Sequence, residues 1–525
     1  MCGVLGRWRA CGVGRVLAAV GSGAALLVAC AQGPAPVSAP APPAGAGRES
    51  APSPRYAVEP VPVPPSFERA VREGSRTLDG RPGPRYWQQR VSYRIEAELD
   101  PRTGRLQGEE VITYRNRSPD TLGVVVLHLY HNVFRAGEPR TERMPVTEGV
   151  ALERVEVAGL EARPIALEAE PPAGRATYHV DGTLMVVHLP RELGPGDSIV
   201  LRIAWRLVVP PESAPRTARS DRAVYQVAQW YPQVAVYDDV RGWHAWPYLG
   251  TGEFYLEYGD FDVELTLPEG WLVAATGVLE NPDEVLPEPV RARLARALAG
   301  DDVVRVVTAD DLGPGNATQR APGGQLTWRF RAPEVRDFAF AASNRYLWDA
   351  VGVTLPDADG DGRPERVAVH AFYRPEARGW REAVGYARHA LALFAREWHP
   401  YPYPQLTAAE GPVYGMEYPM LVFVGAPAGG RELYTVLAHE VAHQWFPMLV
   451  GSKESEFAWQ DEGLATYGEN LALADFFRDP APFADELAQY RSVAGTEAEK
   501  PVMREADLYG PGPAFVVASY AKPAL

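Results

Sequence analysis

Five residues, His439-Glu440-Val441-Ala442-His443, constrain this chain more than any other stretch. Two histidines four apart lie one above the other, close enough to share an ion, on an α-helix, where a turn takes about 3.6 residues; on a strand they would be about 13 Å apart. The fold must therefore supply a helix here, with Gly429-Gly430 before it, Pro447 stopping it and both histidines well inside it. From that face two imidazoles can reach one cation, while Glu440 is rotated about a third of a turn, toward a water rather than the cation. Glu462 comes 19 residues after His443, with 18 residues between, and opens a further helix. Two histidines and a carboxylate leave a tetrahedral cation one open position, which suits a catalytic zinc rather than a structural one. The plainer alternative is a pair of surface histidines on an amphipathic helix; the placement of Glu462 weighs against it. Glu469, seven residues past Glu462 on the same face, is either a partner for a ligand histidine or a solvated carboxylate.

The rest of the chain sets the frame around that segment. Its 525 residues exceed one ordinary core, so two or three domains are expected. Cys2, Cys11 and Cys30 all lie in the first thirty residues, so the folded body has no disulfide framework and must hold any metal by histidine and carboxylate. A net charge of -15 without a basic run excludes nucleic acid as a partner. From Tyr86 to residue 344, stretches such as "VSYRIEAELD" and "SIVLRIAWRLVV" alternate apolar and polar residues and predict an antiparallel β domain, with a helical insert at Pro287–Gly300. Residues 345–525 turn mainly helical: "REAVGYARHALALFAREW", Arg431–Phe446 and Trp459–Phe477 have helical spacing, with one strand at Met420–Gly425. The class expected is α+β.

The N-terminus reads differently. Arg7, Arg9 and Arg15 precede the small apolar run Val16–Ala29, as in a secretory signal. "LVAC", Leu27–Cys30, resembles a bacterial lipobox, making residues 1–30 a lipoprotein-type signal peptide and Cys30 the lipidated residue. Ordinary signal cleavage after "ACA", Ala29–Ala31, an A-x-A site, is the alternative. Residues 31–85, rich in Pro and Ala, predict an extended tether. Together these predict an exported protein anchored in a bacterial envelope membrane through Cys30, or else a secreted one.

"GPVYGMEYPMLVFVG", Gly411–Gly425, puts an acid, Glu417, into an apolar strand 22 residues before His439. A charge there is costly unless paired, and a peptide's α-amino group is a suitable partner; a structural ion pair is the alternative. "GMEYP", then "HEVAH", then Glu462 resembles the aminopeptidase N and leukotriene hydrolase family of gluzincins. The family's form is G-x-M-E-N, so Tyr418 departs from it. The resemblance implies an N-terminal β-saddle followed by a thermolysin-like catalytic domain, which this chain, stopping five residues past Tyr520, carries only in part. It implies one zinc per chain on His439, His443 and Glu462, with Glu440 as proton acceptor. It also implies a peptide with a free N-terminus, bound by Gly415 and Met416 through their backbone and by the carboxylate of Glu417. Gln229 in "AQWYPQVAVYD" would assist the amine, and Tyr520 in "SYAKPAL" would stabilise the oxyanion, with Pro523 where the family has glycine. An endopeptidase or another gluzincin hydrolase remains open, as does a surface lipoprotein that binds peptides without chemistry. "DADGDG", Asp357–Gly362, reads as an acidic hairpin turn or a calcium loop, although the twelfth position is Ala368 rather than Glu. His128, His131, His370 and His399 have no ligand spacing and read as structural, His128 and His131 on opposite faces of one strand.

Overall fold

In the computed structural model, which describes residues 62–525 apart from 213, 222, 426–428 and 511–512, the alternating stretches form strands. The signal sequence, Cys30 and most of the expected tether lie outside the described residues. Arg90–Asp100 buries Val91, Tyr93, Ile95, Ala97 and Leu99 and turns the residues between them outward. It lies within an eight-stranded sheet, paired with Arg105–Arg115 on one side and Gly259–Pro268 on the other. The second pairing is parallel, from Val91↔Gly259 to Glu98↔Thr266, a departure from the purely antiparallel expectation. Parallel neighbours need a long crossover, and here the chain builds the whole of a five-stranded and a two-stranded sheet before it returns. Trp205 and Trp230, fully buried, meet edge to face at 5.6 Å in the core of this region, and Trp230 meets Phe340 at 5.4 Å.

A six-stranded sheet carries the remainder, in the order Val304–Val307, Leu347–Leu355, Glu365–Tyr373, Gln405–Glu410, Leu421–Val424, Gly415–Tyr418. The segment from 345 onward is thus more sheet-rich than its helical periodicity predicts, because short buried strands such as Gln405–Glu410 carry no period of two. Its first strand comes from before residue 344, so the expected domain boundary is crossed: Val304 pairs with Ala350. Gly415–Tyr418 closes the other edge, paired among the described residues only with Leu421–Val424, so that its other backbone edge has no strand partner among them. Helices Ala383–Glu397, Gly430–Ala442 and Leu464–Phe477 pack together beside this sheet.

Three local expectations change. Pro65–Glu73 is a helix where a tether is expected, closed by Gly74 at φ 81° and followed by Arg76, which pairs with Asp239 through two bonds of 2.8 Å. The proline content of the whole segment hid one short helical stretch. His128 ends a strand, whereas His131 sits in the 3₁₀ turn Tyr130–Phe134, so the two are not on one strand; both are buried. Asp357–Gly362 does join two hairpin strands, and Asp357 accepts from the backbone of Gly360 and Gly362.

Candidate metal centre

The helix Gly430–Ala442 buries Leu433, Tyr434, Leu437, Ala438 and Val441, which fixes its rotation and turns His439 toward the Gly415–Tyr418 edge of the sheet. It ends four residues short of the expected Phe446, so His443 is its cap rather than well inside it, at φ -60° and ψ -17°. A tight turn to Met448, whose N–H donates to the His443 carbonyl at 3.0 Å, replaces the next helical turn before Pro447 can clash. Because His443 keeps helical dihedrals, the four-residue spacing still works, and the two Nε2 atoms lie 3.2 Å apart. Glu462 sits in a π-helical turn, Trp459–Gly463, rather than opening the helix Leu464–Phe477. Its Oε2 is 3.1 Å from His439 Nε2 and 3.4 Å from His443 Nε2.

Those three separations test the fit of a metal. Zinc bonds of about 2.0–2.1 Å at tetrahedral angles place donors about 3.3–3.4 Å apart, so a small cation matches the triangle. The outer nitrogens are held in the complementary tautomer. His443 Nδ1 donates to the Phe446 carbonyl at 2.7 Å, with Asp461 Oδ1 also 2.8 Å away, and His439 Nδ1 lies 3.2 Å from Glu469 Oε2. Both Nε2 lone pairs therefore face inward. With no cation bound, His439 and His443 are protonated and donate to Glu462, and these contacts outweigh burial and hold its carboxylate below the usual range.

Glu440 is 5% exposed, its Oε2 has no hydrogen-bond partner, and burial pushes its pKa up to about 7. Gly415 faces it so closely that a Cβ would fall 2.5 Å from Glu440 Oε1, so the strand can approach only as glycine. Tyr520 donates to Glu462 Oε1, and its ring stacks on His439 at 5.8 Å. Burial and the Glu462 charge raise its pKa well above 10, so the hydroxyl stays a donor. Pro523 rests on Gly463, where a Cβ would come within 2.5 Å of it; the departure from the family's glycine is accommodated by this glycine on the Glu462 turn.

A cavity of about 330 Å³ joins these groups, lined also by Gly415, Glu417, Tyr414 and Glu253. Met416 is buried beside this cavity and does not line it, and Gln229 does not reach it either. Gln229 donates to Asp337 at 3.1 Å and accepts from the Tyr418 hydroxyl at 3.3 Å, which braces the residue after Glu417. Glu253, from a loop of the β region, lines the cavity instead, with Arg216 3.0 Å from its carboxylate. Sequence offered no signal for Glu253, which has no motif around it. Asp461 and Gln444 could have been found, since each adjoins a candidate ligand. Gln444 donates to the Tyr418 carbonyl at 2.9 Å and accepts from the Met420 N–H at 2.8 Å, which clamps the Glu417 hairpin to the ligand helix.

No family model matches the chain. A stretch of 86 residues is 35% identical to leukotriene A-4 hydrolase from Xenopus laevis, covering 16% of this chain and 13% of that protein. Another comparison, with aminopeptidase O from Homo sapiens, gives 32% identity over 90 residues, 17% of this chain and 10% of the relative. The match thus spans only a small part of these curated relatives. An M1 zinc metallopeptidase from Deinococcus radiodurans shares the fold, with a TM-score of 0.50 and 17% identity over 83% of this chain and 80% of the other. A two-domain M1 zinc metallopeptidase bound to L-tryptophan does so at the same TM-score with 18% identity, over 85% of this chain and 83% of that one.

Proposed function

We propose that the chain is an M1 zinc metallopeptidase, of the aminopeptidase N and leukotriene hydrolase family, and a zinc aminopeptidase removing the N-terminal residue of peptides. The observation that carries the proposal is the convergence of His439 Nε2, His443 Nε2 and Glu462 Oε2 at 3.1–3.4 Å on a cavity that also holds Glu417 and Glu440. Zinc bound to the three donors would make water more acidic and polarise the scissile carbonyl. The remaining work falls to the chain. Glu440, buried and raised to about 7, takes a proton from the attacking water and returns it to the leaving amine. The Tyr520 hydroxyl, already beside the Glu462 carboxylate, turns to donate to the developing oxyanion.

The edge at Gly415 aligns the peptide backbone, and Glu417 fixes the α-ammonium, so that the first peptide bond lies over the donors. Glu253 replaces Gln229 as the second group for the amine. An endopeptidase would have no use for two carboxylates blocking one end of the cleft. The test is zinc content together with release of amino acids from unblocked peptides and from the same peptides N-acetylated. One zinc per chain and turnover of unblocked peptides alone is the expected result; equal turnover of both forms refutes an exopeptidase. We also propose export and anchoring through a lipidated Cys30, resting on sequence alone. Mass spectrometry of the mature N-terminus should find an acylated cysteine there, and an unmodified start elsewhere overturns it.

A further inference from the structure

Beside His443, and sharing Glu253 and Glu417 with the cavity of the three donors, lies a second convergence of acids. Glu253, Glu417, Glu454 and Asp461 each present a carboxylate oxygen, all within 4.8 Å of one another. They arrive from four places: a loop of the β region, the edge strand, the first residue of helix Glu454–Ala458 and the π-helical turn. Two guanidiniums oppose them. Arg336 stands 2.6 Å from Glu454 and Arg216 stands 3.0 Å from Glu253. His443 Nδ1 lies 2.8 Å from Asp461 Oδ1.

This leaves an imbalance. Four carboxylates face two guanidiniums, and Asp461 Oδ2 and Glu417 Oε1 are buried without a hydrogen-bond partner among the described residues. Asp461 is 0% exposed and Glu417 4%. A buried unpaired carboxylate oxygen is costly, and two beside each other more so. A substrate ammonium supplies one positive charge against two unpartnered carboxylate oxygens. The donor set is all oxygen, which suits a hard cation rather than a second zinc. Oxygens up to 4.8 Å apart match opposite ligands of an ion bonded at about 2.3–2.6 Å.

We propose that Glu253, Glu417, Glu454 and Asp461 form a second metal site, which takes a hard divalent cation of the calcium or manganese class beside the His439–His443–Glu462 centre. Asp461 links the two sites through His443. Glu417 belongs to both the metal site and the amine subsite, so the second cation and the peptide ammonium exclude each other. That last consequence rests on the aminopeptidase reading; occupancy of the site by metal does not.

The experiment strips the whole protein of metal, restores one equivalent of zinc, and titrates with Mn²⁺ followed by paramagnetic resonance. One further Mn²⁺ per chain is expected. Glu454→Gln should weaken it at least about tenfold, as loss of one ligand from such a set does. Asp359→Asn, which disarms the exposed Asp357–Asp361 loop, should leave it unchanged. No Mn²⁺ bound by the zinc-loaded wild type overturns the proposal, as does an affinity unaltered by Glu454→Gln and also by Asp461→Asn in folded protein. In a peptide assay, added Mn²⁺ should raise KM and leave kcat. A rise in neither, with the resonance count still at one, refutes the shared use of Glu417 and leaves the metal site standing.

Discussion

Replacing Gln444 by methionine tests whether the hairpin clamp positions the substrate end of the site. The side chain is fully buried, and its amide bonds two backbone groups, the Met420 N–H at 2.8 Å and the Tyr418 carbonyl at 2.9 Å. Methionine fills a similar volume and satisfies neither. Each orphaned group costs about 1–3 kcal/mol, so the variant should lose about 2–6 kcal/mol of stability. Gln444 follows the donor His443, but His443 is held through Nδ1 by the Phe446 carbonyl and His439 by Glu469, neither of which Gln444 touches, so zinc content should stay at one per chain. The Glu417 strand should shift, and a displacement near 1 Å at a positioning group lowers kcat/KM about 100-fold. Urea denaturation, zinc analysis and peptide turnover on the same preparation give the three readings. A variant that loses the expected stability, keeps zinc and turns over peptide at the wild-type rate would show that the hairpin does not position substrate. Unchanged stability would show that the two bonds are not made.

Other changes probe the remaining parts. Glu440→Gln should keep zinc and lower kcat at least about 100-fold, and near-normal turnover refutes its role as proton acceptor. Glu110 is 0% exposed with neither oxygen hydrogen-bonded, and burial raises its pKa well above 4.5. The folded state then keeps a proton that the unfolded chain loses. Stability should therefore fall as pH rises above the unfolded pKa, by about 1.4 kcal/mol per unit, until the folded carboxyl ionises. Glu110→Gln should remove that slope, and parallel stability curves for the two proteins contradict it. Gly463→Ala places a Cβ 2.5 Å from Pro523, which should cost about 1–3 kcal/mol and displace Tyr520; kcat should fall more than KM rises, and unchanged kinetics argue against Tyr520 as oxyanion donor.

The sequence by itself determined the elements whose residues are neighbours along the chain. Period-two burial fixed strands such as Arg90–Asp100 and Ser198–Val208, and the four-residue histidine spacing fixed a shared helical face. Such patterns are written in local geometry, so a single chain displays them. What only the tertiary structure decided depends on crossings between distant segments. It closed Gly259–Pro268 in parallel on Arg90–Asp100, carried Val304–Val307 into the other sheet, and placed Glu253 rather than Gln229 in the lining of the cavity beside Glu417. Asp461 meeting Glu417 and Glu454 is of the same kind, because electrostatic cost is set by distance in space and burial, and neither has a period along the chain.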